Sequence, residues 1–467
     1  MKETATRIAK APRAQQLADD DHRLLWHPFT QSSEWSSLDP IVIESAAGFF
    51  LTDVAGKRYL DGVSSLWCNV HGHGHPVIVE ALHAQLDRLQ HSTMLGLSHV
   101  PGIELARRLV EITPAPLTRV FYSDSGSTAV EVALRMAFQY QRQVGCAGRT
   151  RFVTLSEAYH GDTIGSVSLG FSEPFHRGYE PLTFRVSKFD PPFLCAPIGG
   201  RGRCNEASLE AAAEASLARL RQLLEREGDS VAAVVIEPLV QGAAGIWPQP
   251  ASFVRGVREL CDRFGCLLVC DEVATGFGRT GTMLAVEQCG ISPDILCLAK
   301  GISGGYLPLA ATLATEQVFD AFAGRYSDYR TLFHGHTYGG NPLGCAAALA
   351  SLEVFETERT LERAAAAATR LGELLDEHIE PLACTGPVRR VGLMAGFDLW
   401  RDAEQGLLFA ADERRAHRAV LVAREAGVIV RPLGDTMVLM PPLALPDELL
   451  ERLVSVVASA VERATRD

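Results

Sequence analysis

No apolar run in this 467-residue chain approaches the roughly 18 residues that a membrane-spanning helix requires. The longest runs, such as VAAVVI at 231–236, are strand-sized. The opening stretch MKETATRIAKAPRAQQLADDDHRLLWHPF lacks the apolar core of a secretory signal. Eleven Cys occur without a Cys-x-x-Cys pair, which reads as reduced thiols in a cytoplasm. Cys270 and Cys297 lie inside apolar runs and read as core residues. No Lys/Arg-rich run interrupts a chain of formal charge -12, which argues against nucleic acid and for a small-molecule substrate. Lysine itself is scarce: Lys2, Lys10, Lys57, Lys188 and Lys300 stand against 39 Arg. A guanidinium cannot replace an amine in Schiff-base chemistry, so a Lys in an apolar context stands out.

What is present is ordinary globular composition, 47% hydrophobic and 21% charged, long enough for a large domain and a smaller one. Residues 1–30 read as a polar arm ending in the aromatic cluster Trp26-His27-Pro28-Phe29. The alternation over 41–62 predicts a hairpin or meander. Helical spacing follows at 77–90, 103–112, 127–143, 206–227 and 250–264. Between these lie the apolar segments 119–123, 151–156, 231–237, 266–272 and 294–300, so an α/β fold with a mainly parallel sheet is expected. The Pro-, Gly- and Cys-rich stretch 185–205 reads as a loop. After 345 the pattern runs through two helices, two or three strands around 388–440, and terminal helices. The expected division is an N-terminal arm with part of a small domain (1–70), a large cofactor-binding domain (71–345) and a C-terminal small α+β domain (346–467).

Ligands in open α/β sheets bind beyond the carboxyl ends of the strands, and four chemically loaded segments fall there. Ser123-Asp124-Ser125-Gly126-Ser127-Thr128 joins a strand to a helix; Gly126 and Ser127 are candidates to cradle a phosphate, or the turn is simply a capped helix start. Asp271 ends the apolar strand CLLVCDE and needs a cationic partner, either a protonated ring nitrogen or a structural cation. Lys300 ends DILCLAK; a desolvated amine is a competent nucleophile, with a capping Lys as the alternative. Gly301, Gly304 and Gly305 are expected to clear room beside it for a ring. Tyr159, in Tyr159-His160-Gly161-Asp162, can cover a planar cofactor or fill the rim of the core. Together, in this order, the four point to pyridoxal phosphate.

The segments DSGSTAVEVALRMA, YHGDT, IEPLVQGAAGI, CDEVATGFGRTG, LAKGISGGYLPLAA and HGHTYGGNPLGCAAAL resemble the class-III aminotransferases of pyridoxal-phosphate fold type I, over about 22–460. WHPFTQ, DGVSSLWCNVHGHGHP, HSTMLGLSHVPGIELARRL and VRPLGDTMVLMPPL resemble the subfamily that aminates 8-amino-7-oxononanoate in biotin biosynthesis. The resemblance implies that Lys300 carries the cofactor as a Schiff base and Asp271 faces its ring nitrogen. It implies that Gly126 and Ser127 bind the phosphate, joined by His336 and Thr337 from the neighbouring subunit of an obligate homodimer. Tyr159 would pack on the ring, with Glu237 and Gln241 nearby. Phe29, Leu66, Trp67, Gly335 and Arg431 would line the substrate pocket, Arg431 pairing with the substrate carboxylate.

Members using S-adenosylmethionine as amine donor carry Tyr at the position of Phe29, Trp at Leu66 and Tyr at Val438; members using lysine show a similar Phe and a single Trp. S-adenosylmethionine is placed first and lysine second; the further alternative is another ω-aminotransferase acting on diamines or ω-amino acids. Three other readings compete. Gly276-Phe277-Gly278-Arg279-Thr280-Gly281 fits a dinucleotide fingerprint, but DEVAT separates it from its strand. His71, His73 and His75, with His334 and His336, alternate as metal ligands could, or belong to loops near the site entrance; no metal is expected. A cofactor-binding protein without turnover would need a regulatory appendage, and none is visible.

Overall fold

The computed structural model describes residues 2–195, 206–402, 405 and 407–466. Where a polar arm is expected, Lys2–Leu24 is helical, and the aromatic cluster follows it. Alternation over 41–62 produces the antiparallel meander β1 (Ile43–Ala47), β2 (Phe50–Asp53) and β3 (Arg58–Asp61).

The large sheet takes its strands from β4 (Leu117–Ser123), β5 (Arg151–Leu155), β6 (Ser187–Phe189) and β7 (Val231–Ile236). A small antiparallel pair, β8 (Val240–Gln241) and β9 (Trp247–Pro248), comes next. The sheet resumes with β10 (Leu267–Asp271), β11 (Ile295–Leu298) and β12 (Ala310–Thr315), in the order β4-β12-β11-β10-β7-β5-β6. Strands β6, β5, β7, β10 and β11 are parallel. All six residues of β7 are buried, as befits a strand covered on both faces. β12 lies antiparallel to both β11 and β4 and was not anticipated: AATLAT is neither a strongly apolar run nor an alternating one.

The expected helices are present at Pro76–Leu86, Val100–Ile112, Gly126–Gln143, Glu206–Glu227 and Ala251–Phe264, then at Pro342–Thr357 and Thr360–His378. The loop expected over 185–205 contains β6 and a short helix, Pro192–Cys195; residues 196–205 lie outside the described residues. The C-terminal part holds more strands than expected: β13 (Arg389–Val391), β14 (Met394–Asp398), β15 (Trp400–Asp402), β16 (Leu407–Leu408), β17 (Val428–Ile429), β18 (Arg431–Leu433) and β19 (Thr436–Leu439). Four of them form the antiparallel sheet β13-β14-β19-β18. β17 instead joins the N-terminal meander, parallel to β3, with Ile429 opposite Asp61. The chain after Asp61 then meets Lys300, beyond β11, through Trp67. Among the described residues, no helix is long and apolar enough to cross a membrane.

Candidate active site

Strands β4, β5, β7, β10 and β11 all deliver chemically loaded residues just past their carboxyl ends. Asp271, the last residue of β10, is buried. Within the chain it is bonded to His160, whose Nδ1 lies 2.7 Å from Asp271 Oδ2. His160 Nε2 is 3.4 Å from Thr154 Oγ1, and Val273 N–H donates to Asp271 Oδ1 at 3.0 Å. The imidazole and a backbone N–H therefore fix the orientation of the carboxylate at the end of β10. The YHGD segment carried this signal, although only its Tyr was assigned a role from sequence.

Lys300 begins a 3-10 turn immediately after β11 and has a left-handed φ of 45°. A non-Gly residue is uncommon there, and such strain concentrates at functional sites. Burial lowers the pKa of its amine, a shift opposed by the nearby charges of Asp271 and Glu237. Its Nζ sits 4.7 Å from the centroid of the Trp67 ring. The following glycines do not clear the ring-sized space expected from the sequence. A Cβ on Gly301 would meet Phe277 at 2.8 Å, and one on Gly305 would meet the Asn69 backbone at 3.0 Å. They let the Lys300 turn pack against neighbouring chain.

The turn before the helix Gly126–Gln143 is a capping box in which Ser125 and Thr128 satisfy each other. Among the described residues, no backbone hydrogen bond engages the N–H groups of Gly126 or Ser127, so both remain to meet an anion at the helix start. A Cβ on Gly126 would come within 2.5 Å of Val273, two residues past Asp271. The phosphate-binding candidates therefore border the end of β10. The Ser127 hydroxyl is 2.8 Å from Thr163 Oγ1 and accepts from Thr163 N–H at 2.9 Å.

Tyr159 O–H donates to Asp162 Oδ2 at 2.9 Å. Burial raises the pKa of its phenol, Asp162 adds to the rise, and the charge of Arg431 opposes it. Glu237, beyond β7, accepts from Tyr159 N–H at 3.3 Å and from Gly242 N–H at 3.0 Å. Burial pushes its carboxyl up to about 7. Gln241 donates to Ser156 O, while its Oε1, like Trp67 Nε1 and Ser123 Oγ, is buried without a partner among the described residues. A buried nucleophilic amine, a buried carboxylate, free helix-start N–H groups and unpartnered polar atoms match what pyridoxal phosphate needs.

The remaining sequence candidates sit further out. Phe29 is 60% exposed and packs edge-on against Phe175, at 6.2 Å between ring centroids; Leu66 is 51% exposed. Val438 is buried in one apolar cluster with Trp67, Ile246, Met394 and Met440, and so does not open directly onto solvent. Gly335 and Thr337 are exposed, whereas His336 Nδ1 lies 2.7 Å from Asp124 Oδ2 of its own chain.

The competing motifs have structural roles. Gly276–Gly281 opens no helix, the next one beginning at Ala285, and the buried Arg279 between these glycines donates to Asn69 O and Pro441 O. His71, His73 and His75 turn to three different partners, Ser351, Asp61 and Glu358. Among the described residues, no group of His, Cys, Asp and Glu is arranged to hold a metal ion.

The model of the class-III aminotransferase family matches residues 32–461. The adenosylmethionine-8-amino-7-oxononanoate aminotransferase of Nitratidesulfovibrio vulgaris is 55% identical over 458 residues, covering 97% of this chain and 83% of that protein. The crystal structure of the enzyme of the same name from Methanocaldococcus jannaschii superposes with a TM-score of 0.89 at 38% identity, covering 96% of this chain and 99% of the other. A pyridoxal-phosphate-bound amine transaminase from an uncultivated Pseudomonas species gives 0.86 at 37% identity, covering 95% and 98%.

Proposed function

The chain belongs to the class-III aminotransferases, pyridoxal-phosphate enzymes of fold type I, and within that family we propose that it transfers an amino group to 8-amino-7-oxononanoate to give 7,8-diaminononanoate in biotin biosynthesis. One observation carries the chemistry: Lys300, Asp271 and Tyr159 follow the ends of three strands of one sheet, and His160, next to Tyr159, bonds Asp271 at 2.7 Å. The named relatives carry the choice of substrate.

Pyridoxal phosphate, when bound, supplies an electron sink for the carbanion formed at the amine-bearing carbon. Lys300 would hold it covalently, and its desolvated amine would be placed to take up and return a proton at the substrate carbon. Asp271, fixed by His160 and Val273 N–H, would hold the group through its ring nitrogen. Gly126 and Ser127 N–H groups would bind its phosphate at the helix start. Tyr159, its hydroxyl held by Asp162, would pack on the ring. Arg431 pairs with the substrate carboxylate, a task suited to the planar guanidinium fork. Trp67, Leu66 and Phe29 line the pocket and exclude water.

The active unit in this reading is a cytoplasmic homodimer in which Gly335, His336 and Thr337 complete the site of the adjoining subunit. Leu95, Phe333 and Tyr338 are exposed and available to such an interface. S-adenosylmethionine is the amine donor in this proposal. Phe29 and Leu66 favour a second reading with lysine, because neither offers a polar atom to a large cationic donor. Complementation of a biotin-requiring strain lacking this step tests the reaction. Bleaching of the cofactor absorption by S-adenosylmethionine, by lysine or by neither then identifies the donor.

A further inference from the structure

Three of the four residues from Ser64 to Trp67 occupy the left-handed region: Ser64 at φ 51°, Ser65 at 60° and Trp67 at 65°. None is glycine, so the surroundings must enforce this backbone. One buried carboxylate does so. Asp61, at the end of β3, has a side chain 0% exposed. Its Oδ1 accepts Val63 N–H at 3.3 Å and Ser65 N–H at 2.9 Å, while its Oδ2 accepts Ser65 N–H at 2.8 Å. Oδ2 also lies 3.0 Å from His73 Nε2.

The hydrogen-bond roles of the two His73 ring nitrogens follow from their partners. Gly72 N–H donates to Asn69 Oδ1 at 2.7 Å, which leaves the Asn69 amide N–H to donate to His73 Nδ1 at 2.9 Å. Nδ1 is then an acceptor, and Nε2 carries the hydrogen that Asp61 accepts. At the far end of the turn, Ser64 O–H donates to Met440 O at 2.7 Å. Trp67 is pressed between the Gly242 backbone, where a Cβ would lie 3.4 Å from the indole, and Lys300 Nζ.

We propose that Asp61, held by the His73–Asn69 relay, is a positioning residue that sets the Trp67 ring against Lys300 and the Leu66 side chain at the pocket mouth, and so governs substrate affinity without touching substrate. The proposal rests on the reading of Leu66 and Trp67 as pocket residues. Its two arms are Asp61→Asn, which confronts Ser65 N–H or His73 Nε2–H with an amide N–H, and His73→Gln, which keeps the carboxylate but breaks the relay.

Each purified holoenzyme is assayed for bound cofactor, for borohydride fixation on Lys300, and for the concentration of a primary amine that half-bleaches the cofactor band. For Asp61→Asn the expected result is full fixation with about tenfold weaker half-saturation and a smaller change in the limiting rate. For His73→Gln the same shift is expected, but smaller. A folded, fully loaded variant with wild-type half-saturation overturns the proposal; if Asp61→Asn does not fold, His73→Gln alone decides it. A wild-type enzyme bleached by amines but inert toward 8-amino-7-oxononanoate would count against the substrate assignment and leave the positioning result readable.

Discussion

Asp271 and His160 share a 2.7 Å hydrogen bond, with side chains 5% and 0% exposed. A contact to a charged group in such surroundings is worth roughly 1.5–3 kcal/mol, or roughly 10- to 150-fold in a rate if it is expressed in the transition state. His160→Ala is therefore expected to lower turnover by about that factor while Lys300 still fixes the cofactor. Asp271→Asn should lose more, because the charge itself disappears. Steady-state rates alongside borohydride labelling check this; wild-type turnover in His160→Ala would remove His160 from the site.

Lys300→Ala should abolish covalent fixation of the cofactor and cost at least about 10²–10⁴-fold in turnover, the usual share of a positioned acid–base group. Lys300→Arg should be no better, since a guanidinium stays protonated and cannot add to the aldehyde. Peptide mapping after borohydride reduction is the measurement, and labelling that persists in Lys300→Ala would move the attachment point elsewhere.

Much of this site was legible because the chemistry sits in short local patterns. Lys300 and Asp271 each end an apolar strand, and Gly126 opens a helix, so periodicity alone placed all three. The rest depends on contacts distant in sequence. His160 and Asp271 are 111 positions apart, and nothing local marks the imidazole as the partner. Asp61 carries no local signal within the alternation over 41–62; its bonds to the turn before Trp67 appear only in the folded chain. Gly301 and Gly305 were misread because a run of glycines marks close approach without saying to what. β12 escaped notice because its Ala and Thr residues owe their burial to β4 and β11, both remote in sequence.

Glu237 gives the protein a pH signature. Burial is the main cause of the rise of its carboxyl from 4.5 to about 7; Asp271 adds to it, and His160 and two backbone N–H groups oppose it. The folded state thus binds a proton that the unfolded chain has already released. The associated stability is fully present below about pH 4.5 and is lost as pH rises through about 7. Glu237→Gln removes the titration, so its Tm should fall less than the wild type's between about pH 5 and pH 8. Comparing the two pH values separates this effect from the lost hydrogen bonds, which lower Tm at both. The fall should shrink without vanishing, because burial also raises Glu272 to about 7. An identical pH dependence in both proteins would show that Glu237 does not titrate in this range.

Donor choice should be adjustable at two of the three divergent pocket positions. Leu66 and Phe29 are more than half exposed and can accept larger or more polar side chains. Val438 cannot: it is 1% exposed on β19, opposite Gly396 and Arg431, and packs with Trp67. Val438→Tyr should therefore cost about 1–3 kcal/mol through overpacking and displace Trp67. Phe29→Tyr combined with Leu66→Trp adds a hydroxyl and an indole where there is room. One added hydrogen bond, at roughly 0.5–1.5 kcal/mol, should raise kcat/KM for S-adenosylmethionine relative to lysine by roughly 2- to 10-fold. Half-reaction rates with each donor measure the ratio. A ratio that stays fixed in the double variant while Val438→Tyr changes it would place donor discrimination behind Trp67, inside the packed cluster, and not at the pocket mouth.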